Sequence, residues 1–201
     1  MSNFEYIISS LPFLTTDFKY AEGQGFGQVM QEIRENLSEK DAAVMDTLLK
    51  GFEDSELTPE FYQKAQEHPQ EFIRQYFCFD RQLRNAKVRY LNQALGRPLE
   101  TDVIAFEDDE LSDFEEKATV ENALAQGDLL SREKELDQVV WEKIGSLETF
   151  HYFDLTAVLA YIAKLHIVNR WLALDEEKGR ELFKQLVNEV RSTFKGVEYT
   201  E

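Results

Sequence analysis

The sequence predicts an all-α protein, a helical bundle of about seven helices with a short extended N-terminal arm. Three observations lead there. The stretch Phe153–Leu174, FDLTAVLAYIAKLHIVNRWLAL, lacks Gly and Pro and is apolar around most of its circumference, which marks a buried helix. Elsewhere apolar residues recur three or four apart, and strand signal is slight. Capping residues and Gly or Pro stops divide the chain into helix-length pieces.

The chain has 201 residues, 43% of them hydrophobic and 15 of them Phe. That suffices for a real core and excludes a disordered acidic tail. The expected organisation is a single helical domain over 1–201, with two lobes, 1–98 and 112–201, joined by an acidic linker as the alternative. A net charge of −17 is repelled by nucleic acid and by anionic lipid, so basic partner surfaces are expected instead. Cys78 is the single cysteine, so no internal disulfide forms, in keeping with a reducing cytosol. The N-terminus, MSNFEYIISS, lacks a basic region and soon meets Pro12; it does not read as a signal peptide. A cytoplasmic protein is expected.

Residues 4–14, FEYIISSLPFL, are partly β-branched and broken by Pro12, and read as a short strand or extended arm. Residues 15–27 hold Gly23, Gly25 and Gly27 and read as a loop. Phe26–Leu37 follows as a helix with Val29, Met30 and Ile33 on one face. Ser38 caps the next helix, with Asp41 in the place usually held by Glu in a capping box. Thr58-Pro59 is a cap followed by Pro at the first helical position, and opens a short helix to about Glu67. Pro69–Leu95 is the longest amphipathic pattern, interrupted around Asp80 and stopped at Gly96. Residues 97–113 read as a linker that ends in acids. A helix is expected over about 112–126, another from Leu129 to Ile144 stopped by Gly145, then the buried helix capped by Asp154. A last helix runs from Asp175 to about Phe194. The buried stretch is long enough for a bilayer, at roughly 20 residues, but Lys164, His166, Asn169 and Arg170 fall in its C-terminal half, where charge is expensive in lipid.

No catalytic motif stands out. Gly23-Gln24-Gly25-Phe26-Gly27 precedes a helix, as phosphate-binding loops do, but Gln28 stands where the dinucleotide fingerprint needs Gly, and no Gly-Lys-Ser/Thr follows. Glu148-x-x-His151 has the spacing of a di-iron ligand pair, yet such centres need a second pair and two further Glu residues. The acids Glu107, Asp108, Asp109, Glu110, Asp113, Glu115 and Glu116 lack the alternation and Gly of an EF-hand. No metal and no cofactor is expected. His166 on the buried helix reads first as a core residue with a satisfied hydrogen bond; as a general base it lacks an identifiable partner.

The most informative feature is electrostatic. Between Arg74 and Arg97 the segment carries +5, against −22 for the rest of the chain. Arg81, Arg84 and Lys87 follow at three-residue steps and share a helix face; with Arg74 and Arg89 they are the candidate partner-binding residues. The competing reading is internal: the stripe neutralises acidic helices packed against it.

The C-terminal half carries a resemblance. Leu130-Ser131-Arg132-Glu133, Leu136-Asp137, Val140-Trp141, Phe150-x-Tyr152-Phe153-Asp154, Leu159-Ala160-Tyr161, Lys164-Leu165, Ile167-Val168, Arg170-Trp171 and Leu174-Asp175 with Lys178-Gly179, and upstream Leu11-Pro12 and Leu83-Arg84-Asn85-Ala86, together resemble a bacterial domain-of-unknown-function family, DUF2764. Its genes sit among those of a V-type ATPase, in the place expected for the C-type adaptor of the central stalk, known as d in eukaryotes. The resemblance spans most of residues 4–190 and is densest over 129–179. It implies a non-catalytic, socket-like helical adaptor that seats the central shaft on the membrane ring, with rotor or stalk proteins of the ATPase as partners and peripheral membrane association only. The chain is far shorter than the three-lobed C-type adaptor, so it would supply part of such a socket. Two other readings remain beside it: a small-ligand protein or enzyme with His166, Asn169 and Arg170 lining a pocket, and a free-standing interaction module.

Overall fold

The structure is a computed structural model that describes residues 2–15, 25–106 and 114–174. Eight α-helices account for most of these residues: α1 Phe4–Ser10, α2 Phe26–Asn36, α3 Glu39–Lys50, α4 Pro59–Gln66, α5 Glu71–Ala94, α6 Lys117–Leu124, α7 Leu129–Glu148 and α8 Leu155–Leu172. The described residues contain no strand, and the all-α bundle stands. The helix expected over 175–194 lies outside the described residues, as do most of the glycine-containing loop and the acids from 107 to 113.

The capping chemistry works as the sequence indicates. The side chains of Ser38, Thr58, Asp128 and Asp154 accept from the backbone N–H groups of Asp41, Phe61, Ser131 and Ala157. Each satisfies a donor that the first helical turn leaves without an internal partner.

Three local expectations are corrected. The N-terminal arm is helical to Ser10: Asn3 caps it by accepting from Tyr6 N–H, and the spacing of Phe4, Ile7, Ile8 and Leu11 lays one apolar face on the core. Only the residues after Ser10 are extended, where the Tyr161 hydroxyl donates to the Pro12 carbonyl at 2.8 Å. The long helix read over Pro69–Leu95 is α5, and where its apolar spacing lapses the Asp80 carboxylate is met by the Tyr62 hydroxyl at 2.7 Å and by Arg84. Gly145 does not stop α7, which continues to Glu148 because Ile144 and Leu147 keep its apolar face on the core. Lastly, the helix expected over 112–126 is shorter, running from Lys117 to Leu124.

The buried helix is the hub. Helix α8 touches α1, α2, α3, α5 and α7, and Val158, Leu159, Ala160, Leu165 and Val168 on it are fully buried. Its ends depart from the expectation: Phe153, Leu172 and Leu174 are exposed and Trp171 is half-buried. The larger core gathers side chains from α1 to α5, α8 and Ile144 of α7. A smaller core joins Phe79 and Leu83 of α5 to Val120, Ala123 and Leu124 of α6 and Leu136 and Val139 of α7. Val140 packs against both. Where α3 ends, Gly51 lies so close to the Phe77 ring that a β-carbon would sit 2.1 Å from it.

The first ten residues of the stretch read as a linker are fastened along α5. Asn92 donates to the carbonyls of Leu99 and Thr101 at 3.1 and 2.7 Å. Asn85 donates to the Ile104 carbonyl and accepts from its N–H. Both asparagines are buried. They lie two helical turns apart, so one face of α5 supplies both clamps.

Candidate functional site

Two surfaces are built with enough definition to act: the basic side of α5 and the connector between α7 and α8. On α5 the structure separates the five candidate residues. Arg74 donates to the carbonyls of His68 and Pro69 and ties the α4–α5 turn. Arg81 is almost fully buried, donates to the Ile104 carbonyl at 3.1 Å, and stacks over the Phe106 ring. Arg84 binds Asp80 on its own helix and Asp54 in the turn after α3. Arg89 forms a two-pronged pair with Glu100. Lys87 makes no ion pair among the described residues and is partly exposed.

The electrostatics around Asp80 follow from its position between α4 and α5. Burial pushes its carboxyl above the usual range, and Arg84, the Tyr62 hydroxyl and Lys87 pull it back. Tyr62 is in turn pushed up by burial and by the Asp80 charge. Arg84 is raised, because the charge of Asp80 and the bond and charge of Asp54 outweigh its burial. Four of the five cations are therefore engaged within the chain.

Between α5, α6 and the segment fastened along α5 lies a cleft of about 750 Å³, whose lining includes Arg81, Arg89, Tyr90, Phe106, Phe114 and Lys117. His166, Asn169 and Arg170 are not part of it. His166 stacks on Phe52 at 4.1 Å between ring centroids, and its pKa is lowered by burial first and by Arg170 second. Arg170 and the Trp171 indole both reach the Asp137 carboxylate. The pair Glu148 and His151 is divided: Glu148 receives Lys164, and His151 bonds Asp154 at 2.6 Å.

The connector is the second surface. Helix α7 is capped by Thr149, whose hydroxyl donates back to the Gly145 carbonyl. Phe150 follows with φ +70°, a left-handed conformation that after a helix cap is usually given to Gly. The His151 N–H then donates to the Glu148 carbonyl at 2.8 Å, and Asp154 both caps α8 and holds the His151 ring. Between these fixed points Phe150, Tyr152 and Phe153 are 84%, 68% and 56% exposed. Periodicity in the sequence carries no sign of this, because Phe153 continues the apolar run of α8 and nothing in the run tells an outward ring from an inward one.

These features define a helical bundle whose organised chemistry lies on its outer surface. The family model described as "Protein of unknown function (DUF2764)" matches residues 52–193; the chain belongs to that family. No curated protein and no solved structure matches it. No helix among the described residues is long and apolar enough to cross a membrane.

Proposed function

We propose that the protein is a non-catalytic adaptor of a bacterial V-type ATPase, a partial counterpart of the C-type (d-type) central-stalk adaptor, working in the cytoplasm at the membrane face and binding the rotor or stalk proteins. The partner comes from the family resemblance. The observation that supports an adaptor role is the α7–α8 connector. Three large aromatic side chains within four residues stand out from the surface, on a backbone pinned by two helix ends. Exposed apolar area of this kind marks interaction sites, and rigid aromatic anchors dominate binding energy at protein interfaces. The charge of −17 favours a basic partner surface and speeds the encounter with it.

The test is co-purification of the tagged protein with the rotor and stalk proteins of the V-type ATPase, repeated with Tyr152→Ala. The unmutated protein is expected to associate. The variant is expected to lose affinity by about thirtyfold, the effect of an interface anchor worth about 2 kcal/mol, with its melting temperature unchanged. Failure of the unmutated protein to associate overturns the ATPase assignment. Association that survives replacement of all three aromatics by Ala removes the connector from the interface.

A further inference from the structure

We propose that the α7–α8 connector recognises arginine: its occupant is a segment of the partner protein whose guanidinium groups lie over the outward rings of Phe150, Tyr152 and Phe153. This rests on the adaptor reading, in which the connector is the interface, and adds the chemistry that the partner presents there.

From Gly145 to Thr156 the chain carries two carboxylates, Glu148 and Asp154, one imidazole, His151, and neither Lys nor Arg. Glu148 is paired from α8 by Lys164. Among the described residues Asp154 meets the His151 ring and the Ala157 N–H, and its side chain is 47% exposed. A carboxylate with no Lys or Arg of the chain bound to it therefore follows Phe153 directly.

An aromatic face is electron-rich and attracts a cation placed over it. Elsewhere on α7 and α8 the chain fills such faces itself: Lys164 of α8 lies over the Trp141 ring of α7, and Lys143 of α7 over the Phe79 ring of α5, each 5.6 Å from the centroid. Phe150, Tyr152 and Phe153 have no cation over them among the described residues, and all three are exposed. Arginine suits these rings better than lysine. Its guanidinium is planar, is more weakly hydrated, and stacks on a ring while its N–H groups stay free to meet a carboxylate. Asp154 supplies that carboxylate one residue from Phe153. The backbone between is pinned at both helix ends, so less ordering is left to be done when the partner binds.

A molecule of net charge −17 attracts every basic peptide, so the test compares peptides of equal charge. Tetra-arginine amide and tetra-lysine amide are titrated calorimetrically into the full-length protein at physiological salt. Tetra-arginine is expected to bind about fivefold more tightly, the effect of one ring contact that arginine makes and lysine misses. Replacing the three rings together, by Phe150→Leu, Tyr152→Leu and Phe153→Leu, leaves the charge and most of the apolar area in place. This variant is expected to lose the preference for arginine and to bind tetra-lysine as before. Phe150→Leu alone, at the most exposed of the three rings, is expected to narrow the preference, and it keeps the test open if the triple variant unfolds. Equal binding of the two peptides by the unmutated protein overturns the proposal. So does a preference that survives the three leucines, which would place the arginines elsewhere on the surface. A preference that depends on the rings, in a protein that does not associate with the ATPase proteins, supports the recognition of arginine and overturns the ATPase assignment. Association with those proteins and no preference for arginine does the reverse.

Discussion

Arg84 and Lys87 lie three residues apart on α5, yet their surroundings differ. Arg84 joins Asp80 to Asp54, whereas Lys87 makes no ion pair among the described residues. Arg84→Glu sets a like charge beside a carboxylate that burial already disfavours. Because the Arg84 side chain is 42% exposed, the loss is expected at about 1–3 kcal/mol, below the figure for a fully buried pair. Lys87→Glu is expected to stay within about 1 kcal/mol. Chemical denaturation of the two variants checks this, and equal losses would contradict the division. Phe150 presents the opposite case. Its left-handed backbone costs about 1–2 kcal/mol for a residue with a β-carbon, and its ring, 84% exposed, returns little by packing. Phe150→Gly is therefore expected to raise stability by up to about 1 kcal/mol, with Phe150→Ala as the control that keeps the strain. A stabilised Phe150→Gly that binds its partner more weakly would show that the strained residue is retained for binding. A destabilised one would show that the ring packs.

At the scale of whole elements the glycine that caps α3 and the glycine inside α7 forecast opposite outcomes. Gly51 faces the Phe77 ring at a distance no β-carbon tolerates, so Gly51→Ala is expected to destabilise by about 1–3 kcal/mol through overpacking. Gly145 lies inside α7 with open space at its β position, so Gly145→Ala is expected to stabilise by about 0.5–1 kcal/mol. Urea unfolding of both variants decides the matter, and a loss in Gly145→Ala would mean the helix needs flexibility there. The same region shows why some boundaries are legible in the sequence and others are not. Ser38, Thr58, Asp128 and Asp154 act on neighbours within three residues, so sequence alone places those helix starts. Gly145 has the chemistry of a break, but tertiary contacts decide it: Ile144 and Leu147 hold α7 on the core. The N-terminal helix is obscured by two isoleucines whose β preference yields to burial of one face. The clamps made by Asn85 and Asn92 have a faint signal in polar residues seven apart on an otherwise packed face. Their target carbonyls, in a segment with no periodicity, have none. The outward rings of Tyr152 and Phe153 are the least legible feature, since composition and spacing are the same for a ring facing in or out.

For the molecule as a whole the governing quantity is its net charge of −17. Charge of one sign destabilises the compact state through self-repulsion. Among the described residues, two groups of the ion pairs that oppose it can be compared. Arg97–Asp102, Arg89–Glu100 and Arg34–Asp46 are largely exposed on at least one side and contribute about 0–1 kcal/mol each. Arg170–Asp137, Lys164–Glu148 and Lys143–Glu116 have at least one well-shielded partner and are screened less by salt. Salt therefore weakens the repulsion, which acts over long distances through solvent, more than it weakens the pairs that hold the bundle. Raising sodium chloride from about 10 mM to 500 mM shortens the screening length from about 30 Å to a few ångströms. The melting temperature at neutral pH is expected to rise by several degrees, since 1 kcal/mol corresponds to about 2–4 °C in a chain of this size. A control in sodium sulfate would rise further through surface exclusion, so the chloride series is the decisive one. A fall in melting temperature across that series would mean that exposed attractions outweigh the repulsion. The basic side of α5 would then neutralise the bundle through its surface pairs.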